Sequence, residues 1–148
     1  MSAGSRALRP VAGALLWRGD GTVLLQHRDA KPGIVESGKW SLFGGGIEPG
    51  EDPETAMLRE LGEEIGFRPP RYQPFLVLRS RDAVFHLFLA GIDVPVEELA
   101  LTEGQGMAYV APEAALTDYD LSDTARTALG MLQLYRGFRA GQGLDGPL

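Results

Sequence analysis

Cysteine is absent from the 148 residues, which removes disulfides, thiolate metal sites and a cysteine nucleophile from consideration. A chain without cysteine is compatible with a cytoplasmic protein, and that is the expectation here. Histidine is scarce: His27 and His86 are the only two, and both are expected to be packing or sheet-face residues rather than catalysts. Positive charge is also short. Against 20 Asp and Glu there are 14 Lys and Arg, a formal charge of −6, with no Lys/Arg-rich run. Such a balance argues against non-specific binding to a nucleic acid polymer. No apolar run approaches membrane-spanning length, so no membrane partner is expected. The run Val11–Trp17 follows two arginines and faintly imitates a signal peptide. It is too short, and Arg18-Gly19-Asp20-Gly21 offers no convincing cleavage site, so a core strand is the expectation. Calcium-loop spacing of the EF-hand kind does not occur either, which counts against an acidic calcium-binding structural domain.

What the chain has instead is concentrated acid. Between Gly45 and Phe67, GGIEPGEDPETAMLRELGEEIGF, there are seven acidic side chains and one base, Arg59. Like charges so crowded repel one another unless a cation compensates, and hard divalent cations take carboxylate oxygens as ligands. The segment should be helical from about Pro53 to Ile65. Asp52 suits the N-cap, Pro53 the first helical position, Glu54 the positive end of the dipole, and Gly66 the position just past the end. Met57, Leu58, Leu61 and Ile65 then share one face for a core, while Glu60, Glu63 and Glu64 share the adjoining face. From the helix alone, a metal-binding face and an ordinary solvated acidic face both remain open.

The whole pattern is more specific than the helix. Gly45, five residues, Glu51, seven residues, Arg59-Glu60-Leu61, one residue, Glu63-Glu64, one residue and Gly66-Phe67 resembles the box of the Nudix hydrolases. Chance alone yields those seven fixed identities on the order of 10⁻⁸ per window, so coincidence is not an adequate explanation. Phe67 departs from the aliphatic residue more usual at that place.

The resemblance implies a fold, a reaction and roles. Family members typically hydrolyse a nucleoside diphosphate linked to another moiety, such as a nucleoside triphosphate, nucleotide sugar or dinucleotide, with Mg2+ or Mn2+. Glu60 and Glu64 then look like the core metal ligands, Glu63 joins them directly or through water, and the Gly45 carbonyl resembles the backbone ligand. Glu51 and Arg59 look structural, a carboxylate held in the guanidinium fork. The general base is not fixed by the box. Glu103, in the loop before the last strand, is the candidate outside it, with Glu97 and Glu98 as weaker rivals and Glu60 or Glu63 as alternatives within. Arg28 stands where relatives often carry a cation near the substrate phosphates, although a simple surface arginine is equally open. Phe43 replaces a proline often found before the two glycines, and is a candidate for stacking on a base, as is Trp40, which reads more simply as core. A small phosphorylated substrate is the expected partner. Many relatives pair through this fold, which leaves a homodimer open. The competing reading is a non-catalytic module that senses a nucleotide such as ADP-ribose, but such a protein would be expected to have lost ligands from the box. Upstream and downstream motifs that mark the coenzyme A, NADH and ADP-ribose subgroups are not found.

Elsewhere the patterning predicts strands over Leu8–Trp17, Thr22–Arg28, Trp40–Phe43, Ile47-Glu48, Tyr72–Arg79, Ala83–Ile92 and Met107–Val110. Loops are expected over Asp29–Lys39 and Asp93–Gly104. Ser122 should cap a second helix ending near Gly137, with Ala125, Ala128, Leu129, Leu132 and Tyr135 buried. Many strands with two helices suggest an α/β fold, a mixed sheet sandwiched between helices, and the Nudix resemblance agrees. One domain is expected over 1–148, with a core of about 8–137 and a frayed, glycine-rich tail at about 140–148.

Overall fold

The computed structural model describes residues 7–33 and 36–144. Its elements are β1 (Arg9–Trp17), β2 (Val23–His27), β3 (Trp40–Ser41), β4 (Phe43–Gly46), α1 (Pro53–Ile65), β5 (Tyr72–Arg79), β6 (Ala83–Gly91), β7 (Gly106–Val110), α2 (Pro112–Asp118) and α3 (Asp123–Gly141). The strands form one mixed sheet organised on β1. One edge of β1 runs parallel to β6 along its whole length, from Arg9 opposite Ala83 to Trp17 opposite Gly91. Its other edge is divided. Val11–Ala14 pair antiparallel with β4, and only Leu16 and Trp17 pair with β2. β7 covers the far side of β2, and β5 closes the sheet beyond β6.

The segment Trp40–Gly46 bridges that division. Its first two residues pair with β2 and its last four with β1, so the ladder breaks at Leu42. A buried carbonyl at such a break needs a donor. Gln26, itself buried, supplies one: its Nε2 donates to the Leu42 carbonyl at 3.0 Å.

Strand periodicity distributes the core to two faces. Ala12, Ala14 and Leu16 of β1 pack with Ala56, Met57, Leu61 and Ile65 of α1. Leu15 and Trp17 face the other way, toward Ala125, Ala128, Leu129 and Leu132 of α3. Burial on both faces explains why Val11–Trp17 lacks polar alternation. The caps form as the sequence implies. The Asp52 carboxylate accepts from the Thr55 N–H at 2.7 Å, Gly66 ends α1 with φ +65°, and the Ser122 hydroxyl accepts from the Ala125 N–H at 3.2 Å. No helix among the described residues is long and apolar enough to cross a membrane.

Three expectations need correction. The strand placed at Ile47-Glu48 lies earlier, at Phe43–Gly46, because the glycines there extend and pair with β1 instead of turning. Gly44 adopts φ +152°, and a Cβ on it would collide with the Ala12 carbonyl oxygen, so only glycine fits that pairing. Between β7 and α3 a third helix appears, α2, opened by Pro112 in its first turn and buried through Pro112 and Ala115. Lastly, α3 continues through Gly137 to Gly141. A mid-helix glycine costs about 1 kcal/mol, and contacts on either side of it work against that cost. Arg136 and Arg139 lie over the Trp17 ring, at 5.6 and 6.0 Å from its centroid. The tail expected from about residue 140 therefore begins inside α3, and residues 145–148 lie outside the described residues.

Candidate active site

The fold lays α1 across β1 and β4, which brings the acidic face of the helix onto the glycine strand. Glu64 is turned inward. Its Oε2 accepts from the Gly44 N–H at 3.1 Å. Burial, followed by the charge of Glu60, pushes this carboxyl up to about 8, Glu103 adds to the rise, and the Gly44 hydrogen bond and Arg28 act against it. Glu60, Glu103 and Arg28, all singled out in the sequence, thus each act on the charge of Glu64.

Gly45 stands directly against Glu60. A Cβ built on Gly45 would lie 2.5 Å from the Glu60 carboxyl carbon, so the strand presents bare backbone to that carboxylate. Phe43, two residues earlier, is 1% exposed and packs with Met57 and Leu61 in the α1 core, and it also borders a cavity on the glycine strand. Trp40 stacks on His27, with ring centroids 4.6 Å apart, and His27 Nε2 lies 3.0 Å from the Gly38 carbonyl oxygen.

Arg59 organises the loop between β4 and α1. Its Nε and Nη2 hold Glu51 at 2.8 and 2.9 Å, a fork on a carboxylate, and Nη2 also donates to the Gly46 carbonyl at 3.0 Å. These bonds keep the Glu51 carboxyl down at about 2, with the Arg59 hydrogen bond the main cause and the Glu48 N–H the next. The remaining nitrogen, Nη1, reaches Glu60 at 3.0 Å and Glu63 at 3.3 Å. Glu63 is the more open of these two acids, its side chain 61% exposed against 15% for Glu60. Glu97 and Glu98 are on a short 3-10 turn, Val96–Glu98, with no buried residue.

Among the described residues no three acidic or histidine side chains already converge on one point suited to a metal ion. Glu60 and Glu63 lean on Arg59 while Glu64 faces Gly44. The donor set nevertheless fits a divalent cation of the magnesium class. It consists of hard oxygens, and burial plus like charge hold Glu64 well above the ordinary carboxylate range, the strain that a cation relieves. The cradle on Gly45 leaves the Glu60 carboxylate beside the strand backbone with no side chain between them.

On the other side of the glycine strand lies a cavity of about 430 Å³, lined by Val11, Gly13, Phe85 and Leu87 and edged by Arg9 and Arg28. Ser122 and Thr124 border it at the start of α3. Arg28, Phe43 and Gly45 were visible in the sequence as participants. Arg9, Val11 and Gly13 alternate along β1, which is the signal that they share a face, but nothing in the sequence indicated that α3 would leave that face open.

A mixed sheet between helices, with an acidic helix laid on a glycine strand, defines a scaffold of the Nudix kind. The chain belongs to the Nudix family: the family model described as NUDIX domain matches residues 7–129. It is 31% identical over 132 residues to the nucleoside triphosphatase NudI of Escherichia coli O81, covering 77% of this chain and 89% of that protein. It is 46% identical over 57 residues to the RNA pyrophosphohydrolase of Gluconacetobacter diazotrophicus, covering 36% of this chain and 34% of that protein. The chain spans between about a third and a half of the length of the first curated relatives it matches. Among solved structures, the MutT NUDIX hydrolase of Burkholderia pseudomallei superposes with a TM-score of 0.74 at 26% identity, covering 86% of this chain and 99% of that one.

Proposed function

We propose that the protein is a metal-dependent pyrophosphohydrolase that cleaves the diphosphate linkage of a small nucleotide, most simply a nucleoside triphosphate. The observation that carries this reading is the intact set Glu60, Glu63 and Glu64 with Gly45, set beside a cavity with two arginines at its rim. A volume of about 430 Å³ suits a nucleoside, and the apolar walls formed by Val11, Phe85 and Leu87 suit the face of a base. Arg28 and Arg9 offer charge-assisted donors to phosphate oxygens.

Glu60, Glu63, Glu64 and the Gly45 carbonyl would hold Mg2+ or Mn2+. Such an ion, when bound, lowers the pKa of water and neutralises charge on the anhydride. In the reaction, water adds to phosphorus, the P–O bond of the anhydride breaks, and a triphosphate yields a monophosphate and pyrophosphate. Glu103 is the preferred acceptor of the water's proton, because its charge already acts on Glu64. Glu60 or Glu63 are the alternatives. Arg59 and Glu51 do not touch the substrate; they hold the box loop against α1.

The test is a substrate panel with Mg2+: nucleoside triphosphates, nucleotide sugars, dinucleotides and a 5′-triphosphorylated RNA oligonucleotide, with Glu60→Gln as control. The expected result is pyrophosphate release from a triphosphate by the wild type and loss of most turnover in a folded Glu60→Gln. Ligand-induced thermal stabilisation without any hydrolysis would instead establish a binding module.

A further inference from the structure

The loop carrying Glu103 is fastened at both ends to the two elements that bear the other charged groups of the site. On its N-terminal side, the Thr102 N–H donates to the Glu64 carbonyl at 3.0 Å. The Thr102 hydroxyl adds bonds to the Glu63 and Glu64 carbonyls, at 3.1 and 3.3 Å. These are carbonyls of the last turn of α1, which have no partner within the helix. On its C-terminal side, the Gln105 N–H donates to the His27 carbonyl at 2.7 Å, and Gln105 Nε2 donates to the Arg28 carbonyl at 2.7 Å. Between them Gly104 has φ +91°, and a Cβ on it would lie 2.8 Å from the His27 carbonyl oxygen. That position admits only glycine, and its close approach presses the loop onto the end of β2.

We infer that Thr102 and Gln105 are positioning residues that together fix Glu103 between the acidic end of α1 and Arg28. This deepens the proposed function and rests on it for the meaning of the reaction. Lost freedom is the physical basis. A carboxylate on an exposed loop samples many orientations, and a displacement of about 1 Å at a reacting group costs on the order of 100-fold in rate. Two separate anchors, one to the helix that carries Glu64 and one to the strand that ends beside Arg28, remove that freedom without burying Glu103. The bonds are made by surface groups, so their contribution to global stability is small while their effect on the loop is direct.

The experiment uses near-isosteric substitutions, Gln105→Met and Thr102→Val, with Thr102→Ser as the conservative rescue and Glu103→Gln as the partner in a double-mutant cycle. Expected are a drop in kcat of roughly 10- to 100-fold for Gln105→Met and Thr102→Val, a change in KM under about 3-fold, and recovery in Thr102→Ser. The diagnostic result is the cycle: in a Glu103→Gln background, Gln105→Met has no further effect, because there is nothing left to position. Effects that multiply, or a kcat unchanged in Gln105→Met, overturn the inference. Amide hydrogen exchange of Thr102 and Gln105 is read in the same proteins. Should the wild type hydrolyse nothing on the panel, the proposed function fails, and the clamp is judged by exchange alone. Protection of both amides that is lost in Gln105→Met and Thr102→Val supports it, and unprotected amides in the wild type refute it.

Discussion

Replacing Glu64 by Gln should stabilise the metal-free protein while abolishing the metal binding proposed for the box acids. Glu64 has an ordinary value of 4.5 and is raised to about 8 in the fold, first by burial and then by Glu60. Between those two values the folded chain retains a proton that the unfolded chain releases, so stability is fully present below about pH 4.5 and falls as pH rises toward 8. At pH 7 the gap costs up to about 3 kcal/mol, less where water reaches the carboxyl. Gln carries no charge to desolvate, and its amide oxygen can still accept from the Gly44 N–H. In EDTA, Glu64→Gln should therefore melt at about the same temperature as wild type at pH 5 and roughly 5–10 °C higher at pH 8. Adding Mg2+ should reverse the order, raising the wild-type melting temperature and leaving the variant unmoved. Thermal unfolding monitored by circular dichroism across about pH 5–8, with EDTA and with Mg2+, provides the assay. Equal slopes against pH for the two metal-free proteins, or a variant less stable at pH 8, would refute the reasoning that Glu64 is held under electrostatic strain.

Other consequences follow from the same contacts. Gly45→Ala should leave the fold intact but push the Glu60 carboxylate aside, since the new methyl would stand 2.5 Å from it; loss of Mn2+ binding by electron paramagnetic resonance is the check. Glu51→Gln should flatten the acid limb of stability between about pH 4.5 and 2, because Arg59 depresses the native carboxyl and that stabilisation is lost as pH falls; acid unfolding followed by circular dichroism reads it. Leu61→Ala, fully buried in the core beneath α1, should cost about 2–5 kcal/mol in urea unfolding. Gln26→Leu should cost about 1 kcal/mol in the same assay, because it removes one of the two donors to the buried Leu42 carbonyl and leaves the Ser41 hydroxyl, at 3.2 Å, as the other.

Local chemistry makes much of this legible in the sequence. The box helix has its cap, its proline and its terminal glycine in the residues themselves, so Pro53–Ile65 follows from them directly. Strands buried on both faces, such as β1, announce themselves as apolar runs. Other features depend on partners distant in the chain. A run of three glycines reads as a turn, and only pairing with Val11, Ala12 and Gly13 makes Gly44–Gly46 a strand. Phe43 occupies a place suggestive of substrate contact, yet the register of β4 against β1 turns its ring into the core. The box named Glu60 and Glu64, but not that Glu63 would lean outward on Arg59. Thr102 and Gln105 carried no signal, because their roles are set by carbonyls of Glu64 and Arg28 that only the fold brings near. The helix α2 was obscured by its seven-residue length, too short to show a periodic stripe.

Anomalous diffraction from crystals grown with Mn2+ and a non-hydrolysable nucleoside triphosphate analogue tests the central claim most directly. The predicted result is manganese bound by Glu60 and Glu64 next to the Gly45 carbonyl, with the base in the cavity between Val11 and Phe85. Manganese located away from the box acids, with the nucleotide outside that cavity, would contradict it.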